Sequence, residues 1–174
     1  RSGFVQTDVP SELNRDWTQD LEAPVSQPTA AYGKLFLSEI ENHTVVAVDQ
    51  SSGDIVWEFT AGARVNSPPT IYKGRAIFGC ADGRIYALRA SDGRLCWKFR
   101  VAPLRLQMTS YGQLESTWPL DGSVLIQDDK LYTVAGRSMF LDGGLRMVVL
   151  NPRTGELITE NVMDEKVPGS DKNL

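Results

Sequence analysis

Three tryptophans spaced 40 residues apart constrain the fold of this chain more than any other feature of its sequence. They are Trp17, Trp57 and Trp97, and the residues around the last two match in detail. Ala47–Phe59, AVDQSSGDIVWEF, aligns with Ala87–Phe99, ALRASDGRLCWKF. A sequence period of about 20 to 50 residues predicts stacked copies of one supersecondary unit, because a single unit cannot bury its apolar faces alone.

Two further copies are incomplete. The segment Val149–Ile158, VLNPRTGELI, keeps the turn of the repeat but is followed by Thr159 where a tryptophan is expected. Trp17 and Trp57 each precede a proline by 11 residues. We therefore interpret Trp17 as the end of an earlier copy whose first part is missing.

Each complete copy contains four short segments rich in apolar, aromatic and β-branched residues, which favour strands. In the second copy they are Ser67–Tyr72, Arg75–Cys80, Arg84–Arg89 and Arg94–Arg100. The turn residues Gly53, Gly93 and Gly155 suit a backbone with positive φ, which costs glycine nothing. A 40-residue period with four strands per unit is typical of β-propeller blades. The predicted fold is therefore all-β, a partial β-propeller of about three four-stranded antiparallel blades plus one stray outer strand.

The repeat boundaries also predict how the chain is divided. Residues 1–26 are expected to form the outer strand of a preceding blade and a linker, and residues 162–174 a linker or tail. The predicted blades span 27–66, 67–118 with a long exit loop, and a degenerate 119–161. An open run of three blades leaves an apolar face bare at each end, so we expect the chain to be stable only with additional blades.

One motif is specific enough to indicate a family. The pattern Ala-x-Asp-x-x-x-Gly-x-x-x-Trp over Ala47–Trp57 includes Asp49, Gly53 and Trp57, and its turn recurs at Gly93, Trp97 and Gly155. It resembles the repeat of the pyrroloquinoline quinone (PQQ) propeller superfamily, and the resemblance covers roughly residues 17–161. That superfamily contains quinoprotein dehydrogenases and the cofactor-free propeller lipoprotein of the outer-membrane β-barrel assembly machine. The resemblance implies a fold and leaves the function open, because the same blades serve enzymes and binding proteins.

Strand alternation predicts which loops share a face. The loops that lead into each blade and the second hairpin of each blade lie at one end, here called the top, and the Gly53, Gly93 and Gly155 turns lie at the bottom. Two insertions, Val101–Trp118 and Arg137–Gly144, are both predicted at the top, where long loops on a repeat scaffold tend to bind ligands. The candidate ligand- or partner-binding residues are Arg64, Arg105, Tyr111, Glu115, Trp118, Arg137 and Asp142. The alternative is that these loops merely cover the neighbouring blade.

No residue is predicted to be catalytic or to bind a metal. His43 is the only histidine, and we interpret it as a solvated turn residue. Cys80 and Cys96 are expected at opposite ends of a sheet, too far apart for a disulfide. The resemblance implies that a dehydrogenase of this superfamily would use adjacent cysteines, a stacking tryptophan, a calcium-bound Glu/Asn/Asp set and a catalytic Asp, and no adjacent cysteine pair occurs.

The leading hypothesis is a non-catalytic binding or scaffold segment that needs no cofactor and presents its top-face loops to a protein or small ligand. The alternative is a fragment of a PQQ-dependent oxidoreductase of the alcohol or sugar dehydrogenase type, with PQQ and calcium. A third hypothesis is a sensory or adaptor propeller attached to another catalytic domain.

Charge and hydropathy limit the kinds of partner that the sequence predicts. The net charge of −4 and the isoelectric point near 5.0 give no basic patch for nucleic acid. No apolar run approaches the ~18 residues of a membrane helix. The chain starts at Arg1 with no early apolar stretch, as a mature or excised piece would. The expected partners are the remaining blades, as another fragment or as copies of this chain. The resemblance implies a periplasmic or otherwise extracytoplasmic location.

Overall fold

A computed structural model describes residues 11–12 and 14–164, and those residues form three four-stranded sheets and one hairpin. Blade 1 contains β1 (Thr29–Ala31), β2 (Lys34–Glu39), β3 (Thr44–Asp49) and β4 (Ile55–Thr60). Blade 2 contains β5 (Thr70–Tyr72), β6 (Arg75–Cys80), β7 (Arg84–Arg89) and β8 (Leu95–Arg100). The hairpin contains β9 (Gln107–Ser110) and β10 (Gln113–Ser116). Blade 3 contains β11 (Leu125–Gln127), β12 (Lys130–Ala135), β13 (Leu145–Leu150) and β14 (Leu157–Met163).

Within each blade, consecutive strands pair antiparallel in sequence order, which confirms the predicted blade fold. The repeat is also in register: Trp57 lies opposite Ala47, and Trp97 lies opposite Ala87. In blades 1 and 2 the pairing of the third strand with the outer strand shifts register directly after Ala47 and Ala87. Blade 3 has the same shift directly after the corresponding residue, Val149. The sequence copies are therefore structural copies.

The apolar core lies between the blades. The central strands present successive residues to opposite neighbours: Phe78 packs in the cluster shared with blade 1, and Ile77 packs in the cluster shared with blade 3. Both side chains are fully buried. Each blade thus depends on its neighbours for burial, as expected for a repeat architecture.

Each repeat tryptophan contacts the third turn of the following blade. The indole Nε1–H groups donate hydrogen bonds to main-chain carbonyls, at 3.0 Å from Trp17 to Gln50, 3.1 Å from Trp57 to Ala90 and 3.2 Å from Trp97 to Pro152. The three bonds have the same geometry in the repeat, so Trp17 occupies the position that its spacing predicts.

The turn glycines allow this contact. Gly53, Gly93 and Gly155 have φ of +81°, +71° and +77°, where L side chains are strained. A Cβ atom on any of the three would lie 2.6–2.8 Å from the indole ring. Glycine is therefore required twice, by the backbone conformation and by the approach of the ring.

The N-terminal segment was predicted to be the outer strand of a preceding blade whose inner strands lie elsewhere. Residues 14–21 form no strand with any part of the chain that the structure describes, so this assignment stays a prediction. Trp17 and Leu21 nevertheless pack against Leu37, Val46 and Val48 on the outward side of blade 1. The expectation that both end faces are bare is therefore wrong for blade 1.

Two further observations complete the fold. Cys80 is buried at the end of β6, Cys96 is exposed on β8, and both are free, in line with the expectation. Among residues 14–164 no helix has the length and hydropathy needed to cross a membrane.

Candidate functional site

Both insertions lie at the top of the blades, as predicted. Ser116 N donates to Ala81 O at 2.8 Å, and this contact joins the first insertion to the second hairpin of blade 2. The second insertion begins directly after Gly136, whose N–H donates to Pro119 O at 3.0 Å. Pro119 directly follows the first insertion, so the two insertions lie at the same end of the blades. The first insertion is not irregular: it contains the β9–β10 hairpin, which the sequence analysis did not predict.

The hairpin is attached to the top of blade 1 through Gln113. Its Nε2 donates to Glu41 Oε2 at 3.0 Å and to Glu41 O at 3.3 Å. Its Oε1 lies 2.5 Å from His43 Nε2. His43 is a turn residue with φ of +57°, as interpreted from the sequence, but its ring is half-buried and bound to the hairpin.

Three candidate residues meet beneath this attachment. Arg64 Nε donates to Glu115 Oε1 at 2.5 Å, and Nη2 contacts the same oxygen. The Arg64 guanidinium carbon lies 4.5 Å from the ring centroid of Tyr111, a distance at which a cation is attracted to the ring face. Arg64 and Glu115 are buried, whereas Tyr111 is 84% exposed. The ion pair is therefore structural, and the tyrosine faces outward.

Trp118 does not lie on the surface where the sequence analysis placed it. It is 4% exposed and packs in the apolar cluster between blades 2 and 3 with Leu120 and Leu131. The reason is its position after the hairpin, where the chain returns between the two blades. Uncovering Trp118 for a ligand would open the core, so we remove it from the candidate surface.

The second insertion forms a separate group. Arg137 and Asp142 form an ion pair across the loop, and Phe140 N donates to Ser138 Oγ at 3.1 Å. Phe140 and Leu141 at the tip are exposed. No hydrogen bond or ion pair among the described residues links this loop to Arg64, so Arg137 and Asp142 are separate from the group of Arg64, Glu115 and Tyr111.

Arg105 lines a cleft of about 210 Å³ between the hairpin and blade 2. Arg84, Arg100 and Asp82 line it as well, and the sequence analysis missed these three residues. Asp82 accepts hydrogen bonds from Arg84 Nη1 at 2.8 Å and from Tyr86 Oη at 2.6 Å. The bond to Asp82 raises the pKa of Arg84, and burial, followed by the bond to Asp82, raises the pKa of Tyr86.

The residues present do not fit a quinone site. Cys80 is buried and Cys96 is exposed on another strand, so they offer no adjacent pair. Trp118 is enclosed in the core and offers no face for stacking. Across the described residues, no three His, Cys, Asp or Glu side chains are grouped to hold a metal ion.

Comparison with known proteins places the chain in a family. A family model described as "Outer membrane protein assembly factor BamB" matches residues 13–172. The BamB of Yersinia pestis is 25% identical over 139 residues, which are 77% of this chain and 32% of that protein. The chain thus spans about a third of the length of this relative.

Two solved structures share the fold. The quinohemoprotein alcohol dehydrogenase of Comamonas testosteroni matches 80% of this chain and 21% of its own, with a TM-score of 0.65 and 20% identity. BamB of Moraxella catarrhalis matches 84% of this chain and 51% of its own, with a TM-score of 0.55 and 23% identity. At such identities the likeness concerns the fold alone. Because the family model spans nearly all of the sequence, the chain belongs to the outer membrane protein assembly factor BamB family of PQQ-like β-propellers.

Proposed function

We propose that this chain is a non-catalytic binding scaffold, part of a propeller that docks a protein partner on its top face. The observation that carries the proposal is where the exposed apolar residues lie. Six large apolar side chains on the two insertions are 50–84% exposed: Leu104, Leu106, Tyr111, Leu114, Phe140 and Leu141. Exposed apolar groups gathered on long loops mark interaction surfaces more often than single scattered ones do.

The loops are held in shape before any partner arrives. The hairpin is attached through Gln113 and the buried pair of Arg64 and Glu115, and the second insertion is closed by Arg137 and Asp142. A preformed surface loses less conformational entropy on binding, which favours affinity. Aromatic side chains such as Tyr111 and Phe140 are typical anchors of protein interfaces.

Membership of the family supports a location outside the cytoplasm. The family is that of an outer membrane protein assembly factor. We therefore propose a periplasmic or otherwise extracytoplasmic location and a protein partner in the cell envelope. Cell fractionation of the native host tests the location.

The test of docking is site-specific photocrosslinking in the native host. Benzoylphenylalanine replaces Tyr111 or Phe140 in the full-length protein, and replaces Val56 or Leu95 as controls. The control positions are also apolar and 44% exposed, but they lie on outer strands. We expect protein adducts from positions 111 and 140 and none from 56 and 95. Adducts only from the control positions, or from no position at all, would contradict top-face docking.

The oxidoreductase alternative rests on the shared fold alone. It is tested by adding PQQ and calcium to the full-length protein and following dye reduction with simple alcohols and sugars. We expect the background rate. Turnover above background would overturn the non-catalytic proposal.

A further inference from the structure

We infer that the cleft between the hairpin and blade 2 is a binding site for an anionic group, a carboxylate or a phosphate. This site is lined by Arg84, Arg100 and Arg105, and also by Leu104 and Leu106 of the exposed apolar set. The inference goes beyond the proposed function and needs no protein partner.

The charge balance of the cleft is the first argument. Its lining contains three guanidinium groups and one carboxylate, that of Asp82, so it is positive in a chain of net charge −4. Asp82 is bound to Arg84 at 2.8 Å. Arg100 and Arg105 have no side-chain hydrogen bond or ion pair with any described residue. Arg100 and Arg105 thus face one small cleft with no carboxylate partner among the described residues.

Comparison among the three blades gives an independent argument. Arg84 and Arg100 lie directly opposite each other on β7 and β8, and like charges in this relation destabilise an antiparallel pair. The corresponding pair in blade 1 is Thr44 and Thr60, whose hydroxyl oxygens lie 3.4 Å apart.

In blade 3 the corresponding arginine, Arg146, lies opposite Val162 and is paired with Glu160. Two arginines face each other at this position only in blade 2, among these three blades, and the first insertion adds Arg105 there. Asp82 compensates Arg84 alone, so an anion held between the guanidinium groups would reduce the remaining repulsion.

The backbone that carries the arginines is held in place. Val101 N and Ala102 N both donate to Gly83 O, at 3.0 and 3.1 Å. A Cβ on Gly83 would lie 2.6 Å from Ala102 Cβ, so the base of the hairpin packs directly on this turn. Arg84 is oriented by Asp82, which also binds Tyr86. Guanidinium groups bind carboxylate and phosphate oxygens through paired N–H donors, and Arg84, already oriented by Asp82, loses less conformational entropy on binding.

The test is isothermal titration of the full-length protein with two probes, inorganic phosphate and a hexaglutamate peptide. The variants are Arg100→Gln, Arg105→Gln and the double variant, and the control is Arg94→Gln, an exposed arginine at the bottom end. We expect at least one probe to bind, with a dissociation constant about tenfold higher in the double variant and unchanged in the control. Binding should also weaken as salt is added.

The probes distinguish the source of the anion. Binding of phosphate without the peptide identifies a free oxyanion or phosphate group, and binding of the peptide without phosphate identifies a carboxylate ligand. The melting temperature of Arg100→Gln without ligand is a second readout. Because the substitution removes the like-charge pair, it should not fall below that of the parent protein. No binding of either probe at millimolar concentration, unchanged binding in the double variant, or a lower melting temperature of Arg100→Gln would overturn the inference.

Discussion

At the scale of single residues, the contact between a tryptophan and a turn glycine recurs in all three described blades. The sequence could predict the residue types at this contact, because the positive φ of the turn favours glycine and the large indole ring must be buried. Trp118 was not predictable. It lies in an insertion that has no second copy, so no register indicated that it turns into the core.

The prediction at this scale concerns Gly93→Ala. The new Cβ would meet the Trp57 ring at 2.8 Å at a φ of +71°, so we expect the free energy of unfolding to fall by about 2–4 kcal/mol. Urea unfolding of the full-length protein measures it. The control is Gly74→Ala, where φ is +77° but nothing lies within 4 Å, and which should lose only about 1–2 kcal/mol. Equal losses in the two variants would show that the indole contact has no part in the effect.

At the scale of elements, the hairpin β9–β10 is where prediction from the sequence failed. The blade strands could be placed because two copies confirm each other. The hairpin has no counterpart between blades 1 and 2, so it was interpreted as a loop. A signal was present: Tyr111-Gly112 turns at φ of +49° and +77°, as Tyr32-Gly33 does in the first hairpin of blade 1.

The prediction for this element concerns its buried ion pair. Arg64→Met leaves the Glu115 carboxylate buried and uncompensated, so we expect a loss of about 3–5 kcal/mol in the free energy of unfolding. The double variant Arg64→Met/Glu115→Leu should recover most of that loss, because no uncompensated charge stays buried. A double-mutant cycle by urea unfolding measures both. Additive losses would show that the two side chains are not coupled.

At the scale of the whole molecule, the three blades and their order followed from the 40-residue spacing. The packing of Trp17 and Leu21 over the outward side of blade 1 did not. The apolar side of blade 3 that faces away from blade 2 has no such cover within the described residues: Leu125 is 56% exposed and Val134 is 41% exposed. This face has the pattern of the interfaces already buried between the blades.

We therefore still expect the isolated chain to be stable only with further blades. Analytical ultracentrifugation should show self-association at micromolar concentration, and Val134→Lys should reduce it by placing a charge on the open face. Thr154→Lys, at an exposed turn away from that face, is the control. A folded, cooperative monomer would contradict this prediction.

The tryptophan contacts also make the two ends of the row of blades different, so the row has a direction. Each contact is made in one direction: a blade gives an indole to the blade that follows it and receives one from the blade before. Blade 1 receives Trp17, and blade 3 receives Trp97 at Gly155, but at its own giving position it has Thr159. In a head-to-tail ring of such rows, blade 3 would therefore give no indole to the next blade, and the indole at that joint would be Trp17 of the following chain.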